Sequence, residues 1–182
     1  MSRLSIPSVE QSLPASQPLL AAVEKQLGVV PNLMKLLGQN PIALEGYLSL
    51  NGALNKGKLS LALRERIALT VAEFNGCDYC LSVHSYLSAN VAKLPQNEID
   101  AAREGRSDDA RTAAALHFAR RVTESRGQVS DADLATLRAA GYDEPAVLEI
   151  VLNVAVNVLT NYVNNVARTD IDFPVVSARQ TA

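Results

Sequence analysis

Apolar residues return at three- and four-residue intervals through most of this chain, and Gly, Pro and polar clusters interrupt them, which predicts a succession of amphipathic helices. The first runs from Leu19 to Leu27 and is stopped by Gly28 and the Val30-Pro31 step, because a residue before proline is held in extended backbone. A second starts at Asn32, with Leu33, Leu36 and Leu37 on one face, and ends at Gly38 ahead of Pro41. A third, Ile42 to Leu54, closes at the Lys56-Gly57-Lys58 turn. Ser60 caps the next, in which Leu61, Ile67, Leu69 and Val71 mix with Arg64, Glu65 and Arg66 until Asn75-Gly76, and a new helix begins at about Cys77. Beyond Asn90, Pro95 sits in the first turn of a short helix that ends near Gly105. Ser107, Asp108 and Asp109 start a helix to about Arg126, and Ser130, Asp131 and Asp133 start a shorter one that Gly141 stops. The last begins near Asp143 to Pro145 and runs to about Ala167, leaving an extended tail through Phe173-Pro174. Residues 1–17 mix Pro and Ser with isolated apolar positions and predict an irregular N-terminal arm.

Composition supports the same class. The chain has 26 Ala and 25 Leu, strong helix formers, and few β-branched runs, so an all-α fold of about eight helices is expected, as one domain over residues 1–182. Lys and Arg number 17 against 19 Asp and Glu, with no dense basic run, which argues against a nucleic-acid partner. Pro7, Glu10 and Pro14 break the stretch that an export signal would need, so a cytoplasmic protein is expected. The apolar run from Ala146 to Val163 is interrupted by Glu149, Asn153, Asn157 and Asn161, which favours a buried helix over a membrane span. Asn153, Asn157, Asn161 and Asn165 recur every fourth residue as a polar stripe, suited either to lining a pocket or to hydrogen bonds within a core or between subunits.

In that setting, two cysteines spaced C-x-x-C point to redox chemistry or metal binding rather than a structural disulfide. With a helix starting at Asn75-Gly76, Cys77, Cys80 and His84 fall at i, i+3 and i+7, along one face. Unpaired N–H groups at the helix start favour thiolate, His84 is one turn from Cys80 and can exchange a proton with it, and Glu65 of the preceding helix can orient the imidazole. The residues alone leave open which thiol is the more acidic, since Cys77 is nearer the helix start and Cys80 nearer His84. They also leave open zinc, for which Cys77, Cys80, His84 and Glu65 make four ligands, and plain burial of unreactive thiols. Arg64-Glu65-Arg66 also reads as a solvated, ion-paired face. Tyr47, Phe74 and Tyr86 read as core or as the wall of an apolar pocket, and His117 as packed or half-exposed.

The pattern Glu65-x11-Cys77-x2-Cys80-x3-His84 resembles the signature of the AhpD-like alkylhydroperoxidases in the carboxymuconolactone decarboxylase superfamily. Gly28-Val-Val-Pro31-Asn32 with Asn40-Pro41, and Asn161-Tyr162-Val-Asn164 followed by Asp170-Ile-Asp172-Phe173-Pro174, resemble its peroxidase-related branch, so the likeness spans residues 28 to 174. The resemblance implies an all-helical homo-oligomer with no bound cofactor. It implies that Cys80 attacks a peroxide and becomes a sulfenic acid, that Cys77 resolves it as a disulfide, and that His84 and Glu65 relay the proton. An external dithiol, a lipoyl group or a thioredoxin-like protein, would then reduce the disulfide. The chain departs from the best-studied pattern by having Tyr79 where that pattern has a second His, with Asp78 beside it. Tyr79 is no base near neutral pH and Asp78 disfavours a thiolate, so slow turnover is expected. The alternatives are a redox sensor or disulfide-exchange protein, and a structural or metal-binding helical oligomer.

Overall fold

A computed structural model describes residues 1–179. These residues form nine helices and no strand: α1 (Gln17–Leu27), α2 (Asn32–Leu37), α3 (Pro41–Leu54), α4 (Leu61–Phe74), α5 (Asp78–Asn90), α6 (Gln96–Arg103), α7 (Ala110–Glu124), α8 (Asp131–Ala139) and α9 (Glu144–Ala167). The all-α expectation holds, nine helices standing where about eight were expected, and the six-residue α2 lies between Pro31 and Gly38 as its pattern predicted. The starts follow the cap residues. Ser60, Asp109, Ser130 and Asp143 each accept a hydrogen bond from a backbone N–H in the first turn of α4, α7, α8 and α9, and Asp133 completes a capping box with Ser130. Residues 1–16 carry turns and no helix, and they are tied down: the N–H of Arg3 donates to the carbonyl of Ala167 at 2.6 Å, and Ser16 Oγ donates to the carbonyl of Gly38 at 2.6 Å.

Helix α4 is the centre. Leu63, Glu65 and every residue from Ile67 to Ala72 are buried, and α5, α6, α7 and α9 pack around it. A helix enclosed on all sides has no single apolar stripe, which explains its mixed sequence pattern. Helix α9 is long and apolar enough, by length and composition, to cross a membrane, yet it lies against α3, α4, α5 and α7 and buries ten residues there, four of them asparagines. Its Glu149 carboxylate accepts the backbone N–H groups of Lys58 and Leu59 at 3.0 and 2.9 Å and so fixes the approach to α4. A side chain at Gly57 would meet that carboxylate and displace it from the two N–H groups.

The stretches before α2 and after α9, which lie far apart in sequence, are knotted over the start of α5. The hydroxyl of Tyr79 donates to Asp172 Oδ1 at 2.9 Å and accepts the N–H of Leu33 at 3.1 Å, while the N–H of Asn32 donates to Asp172 Oδ2 at 2.8 Å. Phe173 packs edge-on against Tyr79, with ring centroids 6.3 Å apart. The tail continues along α5, where the N–H groups of Val176 and Ala178 donate to Ser82 and Asp78 at 2.9 and 2.8 Å. Replacing Tyr79 with Phe strands the buried Leu33 N–H and frees Asp172. The expected result is a loss of about 1–2 kcal/mol in urea unfolding with helix content unchanged. Equal stability would show that the knot contributes nothing.

Candidate active site

The site is built where α4 ends and α5 begins. Asn75 closes α4, and Gly76 at φ 61° takes a left-handed conformation that a side chain resists, so the chain turns sharply into Cys77. Cys77 is the N-cap of α5, and its sulfur accepts the N–H of Cys80 at 3.2 Å. Both cysteines are free thiols, and both are buried, Cys80 to 3% exposure. Four residues further, His84 turns back toward α4, where Glu65 Oε2 lies 2.8 Å from its Nδ1. A carboxylate only accepts, so Nδ1 carries the proton and Nε2 is the nitrogen free for exchange. The four residues singled out by spacing are thus brought into one cluster. Glu65 is buried within it, so it is not part of a solvated charged face. Among the described residues, no group of three His, Cys, Asp or Glu side chains is placed to hold a metal ion.

The two sulfurs are held in opposite states. Burial alone pushes the Cys80 thiol up, but the hydrogen bond from Cys77, the charge of His84 and the amides of Asn164 and Asn161 outweigh it and bring Cys80 down to about 7. The hydrogen bond to Cys80, then burial and the Cys80 charge, push the Cys77 thiol well up, and Asp78 adds in the expected direction. For His84, burial favours the neutral ring, yet Glu65 by charge and hydrogen bond, joined by Cys80, raises its pKa. Tyr47 borders the same charges: burial, Cys80 and Glu65 raise its hydroxyl to about 12. Tyr79 is raised first by burial and serves as a strut to Asp172, not as a base.

Phe74 and Tyr86, expected as core or pocket wall, are exposed, and Tyr86 packs against Phe173 with centroids 5.7 Å apart. His117 is more than half exposed and lies 3.6 Å from Asp133. The asparagine stripe divides. Asn153 and Asn157 donate back to the carbonyls of Glu149 and Asn153 at 2.8 Å each, whereas Asn161 Oδ1 accepts from Asn75 at 2.9 Å. Exposed Asn165 donates to the carbonyl of Asn75 at 2.9 Å, and Asn164, outside the stripe, reaches the site with its Nδ2 donating to Cys80 Sγ at 3.3 Å. The four-residue spacing missed that contact, and the signal for it was the three-residue step from Asn161 to Asn164. A cavity of about 340 Å³ lies beside Asn164, bounded by Gly76, Asp78 and Tyr79 and by Arg168, Thr169 and Ile171; neither thiol lines it.

Residues 41–125 match the carboxymuconolactone decarboxylase family. The fold is similar to that of an AhpD-core, uncharacterised peroxidase-related protein from Ralstonia eutropha JMP134 (TM-score 0.84, 24% identity, 94% of this chain and 92% of that one). It is also similar to an uncharacterised peroxidase-related protein from Silicibacter sp. TM1040 (TM-score 0.81, 25% identity, 93% and 91%) and to the debrominase Bmp8 (TM-score 0.75, 25% identity, 92% and 94%), a variant of which was solved with 2,3,4-tribromopyrrole. No curated protein matches the sequence significantly. The expected resemblance and the AhpD-like helical fold are borne out.

The electrostatics give a pH dependence with a definite sign. A thiol held below its unfolded value of about 8.5 stabilises the fold above that value, and the contribution fades as pH falls through about 7. His84, held above its unfolded value, contributes fully below about 6.5 and loses the contribution as pH rises through its own raised value. The rate of Cys80 alkylation by iodoacetamide is expected to rise through about pH 7. Glu65→Gln should move that rise to higher pH, because the imidazole then holds its proton less firmly. A profile unchanged by the substitution would remove Glu65 from the cluster's electrostatics.

Proposed function

We propose that this chain, whose residues 41–125 match the carboxymuconolactone decarboxylase family and whose fold is AhpD-like, is a thiol-dependent hydroperoxide reductase. The observation that carries the reading is a buried thiol, Cys80, drawn down to about 7 beside an imidazole whose far nitrogen is bonded to Glu65, with a second thiol at the N-cap of the same helix. Cys80 thiolate attacks the terminal oxygen of the peroxide, so an S–O bond forms as the O–O bond breaks. The departing alkoxide takes the proton of His84 and leaves as alcohol, or as water from hydrogen peroxide. Cys77 then attacks the sulfenic sulfur, giving the Cys77–Cys80 disulfide and water. An external dithiol, a lipoyl group or a thioredoxin-like protein, reduces the disulfide and is itself oxidised to a disulfide.

The reading includes self-assembly. Leu148, Leu152, Ala155, Leu159, Tyr162 and Val166 are all exposed along α9 at alternating four- and three-residue steps. Such a seam suits packing against a second copy of itself. Replacing Leu152 and Leu159 together with Glu is expected to lower the solution mass measured by light scattering, and a wild-type monomer would refute the assembly.

Burial of both thiols favours one second reading, a redox sensor or disulfide-exchange protein whose cysteines oxidise without efficient turnover. The test is to mix reduced protein with hydrogen peroxide or cumene hydroperoxide, with and without dihydrolipoamide, and follow thiols, intact mass and peroxide. The reductase reading expects two thiols lost per chain, a mass lower by two protons and repeated turnover with the dithiol. It expects Cys80→Ser to fold and consume no peroxide above background. Thiol loss without turnover supports the sensor, and full activity in Cys80→Ser overturns both. Bromide release from 2,3,4-tribromopyrrole in the absence of peroxide consumption would align the chain with the debrominase.

A further inference from the structure

Two polar atoms near the candidate nucleophile have no hydrogen-bond partner among the described residues and are closed to solvent: Asn164 Oδ1 and, further along the cavity wall, Thr169 Oγ1. Asn164 is 2% exposed and Thr169 6%. Leaving such atoms unpaired is costly, and in a native fold it calls for a specific explanation. Asn164 is not free to turn away: its Nδ2 is held by the Cys80 sulfur at 3.3 Å, so its unused oxygen stays beside that sulfur. Asn164 also lines the cavity of about 340 Å³, together with Asp78, Asn165, Arg168 and Thr169. Its amide therefore touches the sulfur with one atom and offers a bare acceptor with the other.

We infer that Asn164 receives the hydroperoxide group, accepting its O–H on Oδ1 while its N–H holds Cys80. The inference rests on the reductase reading and adds to it a binding residue. A hydroperoxide has one hydrogen on its terminal oxygen, and that is the oxygen the thiolate attacks. Donating the hydrogen to Asn164 brings the electrophilic oxygen alongside Sγ, as orientation at a reacting centre requires. The hydrogen is not consumed: as S–O forms and O–O breaks, it stays on the transferred oxygen as that of the sulfenic acid, and His84 supplies the proton that the alkoxide takes.

The test separates thiolate reactivity from peroxide recognition. For wild type, Asn164→Leu and Asn164→Asp, the second-order rates of Cys80 reaction with hydrogen peroxide and with iodoacetamide are measured from pH 5 to 10, with circular dichroism as the check on folding. Asn164→Leu removes both polar atoms: the alkylation profile should shift to higher pH, yet on the alkaline plateau its rate should stay within about threefold of wild type. The peroxide rate on that plateau should remain about tenfold or more lower. Asn164→Asp keeps an oxygen acceptor at the same place, and its plateau ratio of peroxide to alkylation rate should stay within about threefold of wild type, although its profile also shifts upward. If both rates fall together in Asn164→Leu, or neither falls, or Asn164→Asp loses the ratio as Leu does, the assignment of Asn164 is overturned with the reductase reading intact. A wild-type Cys80 that is alkylated but inert to peroxide overturns the reductase reading itself.

Discussion

A carboxylate in the interior of the most enclosed helix is the constraint from which the rest of the site follows. An ion taken out of water needs a partner of opposite charge and hydrogen bonds to its oxygens, and without them it is strongly destabilising. Glu65 meets that demand with His84, and the demand passes on, because an imidazole raised toward its charged form inside the protein needs a counter-charge on its other side. Cys80 supplies it. The charges alternate from α4 to α5, negative, positive, negative, and end on α9 at the neutral amides of Asn164 and Asn161. Three helices are therefore registered by one chain of compensated charge, which accounts for polar groups so deep in a fold of this composition.

The same chain explains why two thiols three residues apart differ so much. A helix N-terminus favours anions, and by that rule Cys77, at the N-cap, is the better placed. Position along the dipole does not decide here. Cys77 has its sulfur engaged by the Cys80 N–H and no cation near it, whereas Cys80 faces His84 and two amide donors. Local hydrogen bonds and one opposite charge outweigh the half-charge of the helix end in a buried site, where each direct partner acts through little dielectric.

Much of this was legible along the chain. Ser60, Asp109, Ser130 and Asp143 announced their helices because capping is a contact within three residues, and Gly76 marked the turn that presents Cys77 for the same local reason. The grouping of Cys77, Cys80 and His84 followed from helical periodicity. What stayed illegible depends on contacts that no period encodes. Tyr79 is 93 residues from Asp172 and Cys80 is 84 from Asn164, so a tyrosine that reads as a failed base is a strut, and an asparagine outside the four-residue stripe is the one on the sulfur. Phe74 and Tyr86 read as interior because large aromatics usually are, but their positions at the end of α4 and along the outer face of α5 leave them at the surface.

The high pKa of Cys77 at first argues against a resolving role, since a thiol must lose its proton to attack. Its causes say otherwise. The largest is the hydrogen bond it donates to Cys80, and the Cys80 charge acts in the same direction after burial. Both last only while Cys80 is a thiolate. On the proposed reading, attack on a peroxide converts that thiolate to a neutral sulfenic acid and leaves His84 without the proton it gave to the alcohol. At that moment the hydrogen bond to an anion and the opposing Cys80 charge are gone, only burial and the Asp78 charge remain, and a neutral imidazole is free to take a proton. Cys77 is thus kept protonated while its proton stabilises the nucleophile, and is released to attack only after the nucleophile has reacted. The order of the two chemical steps is set by one charge, and Tyr79, bound to Asp172, leaves His84 as the single base serving both.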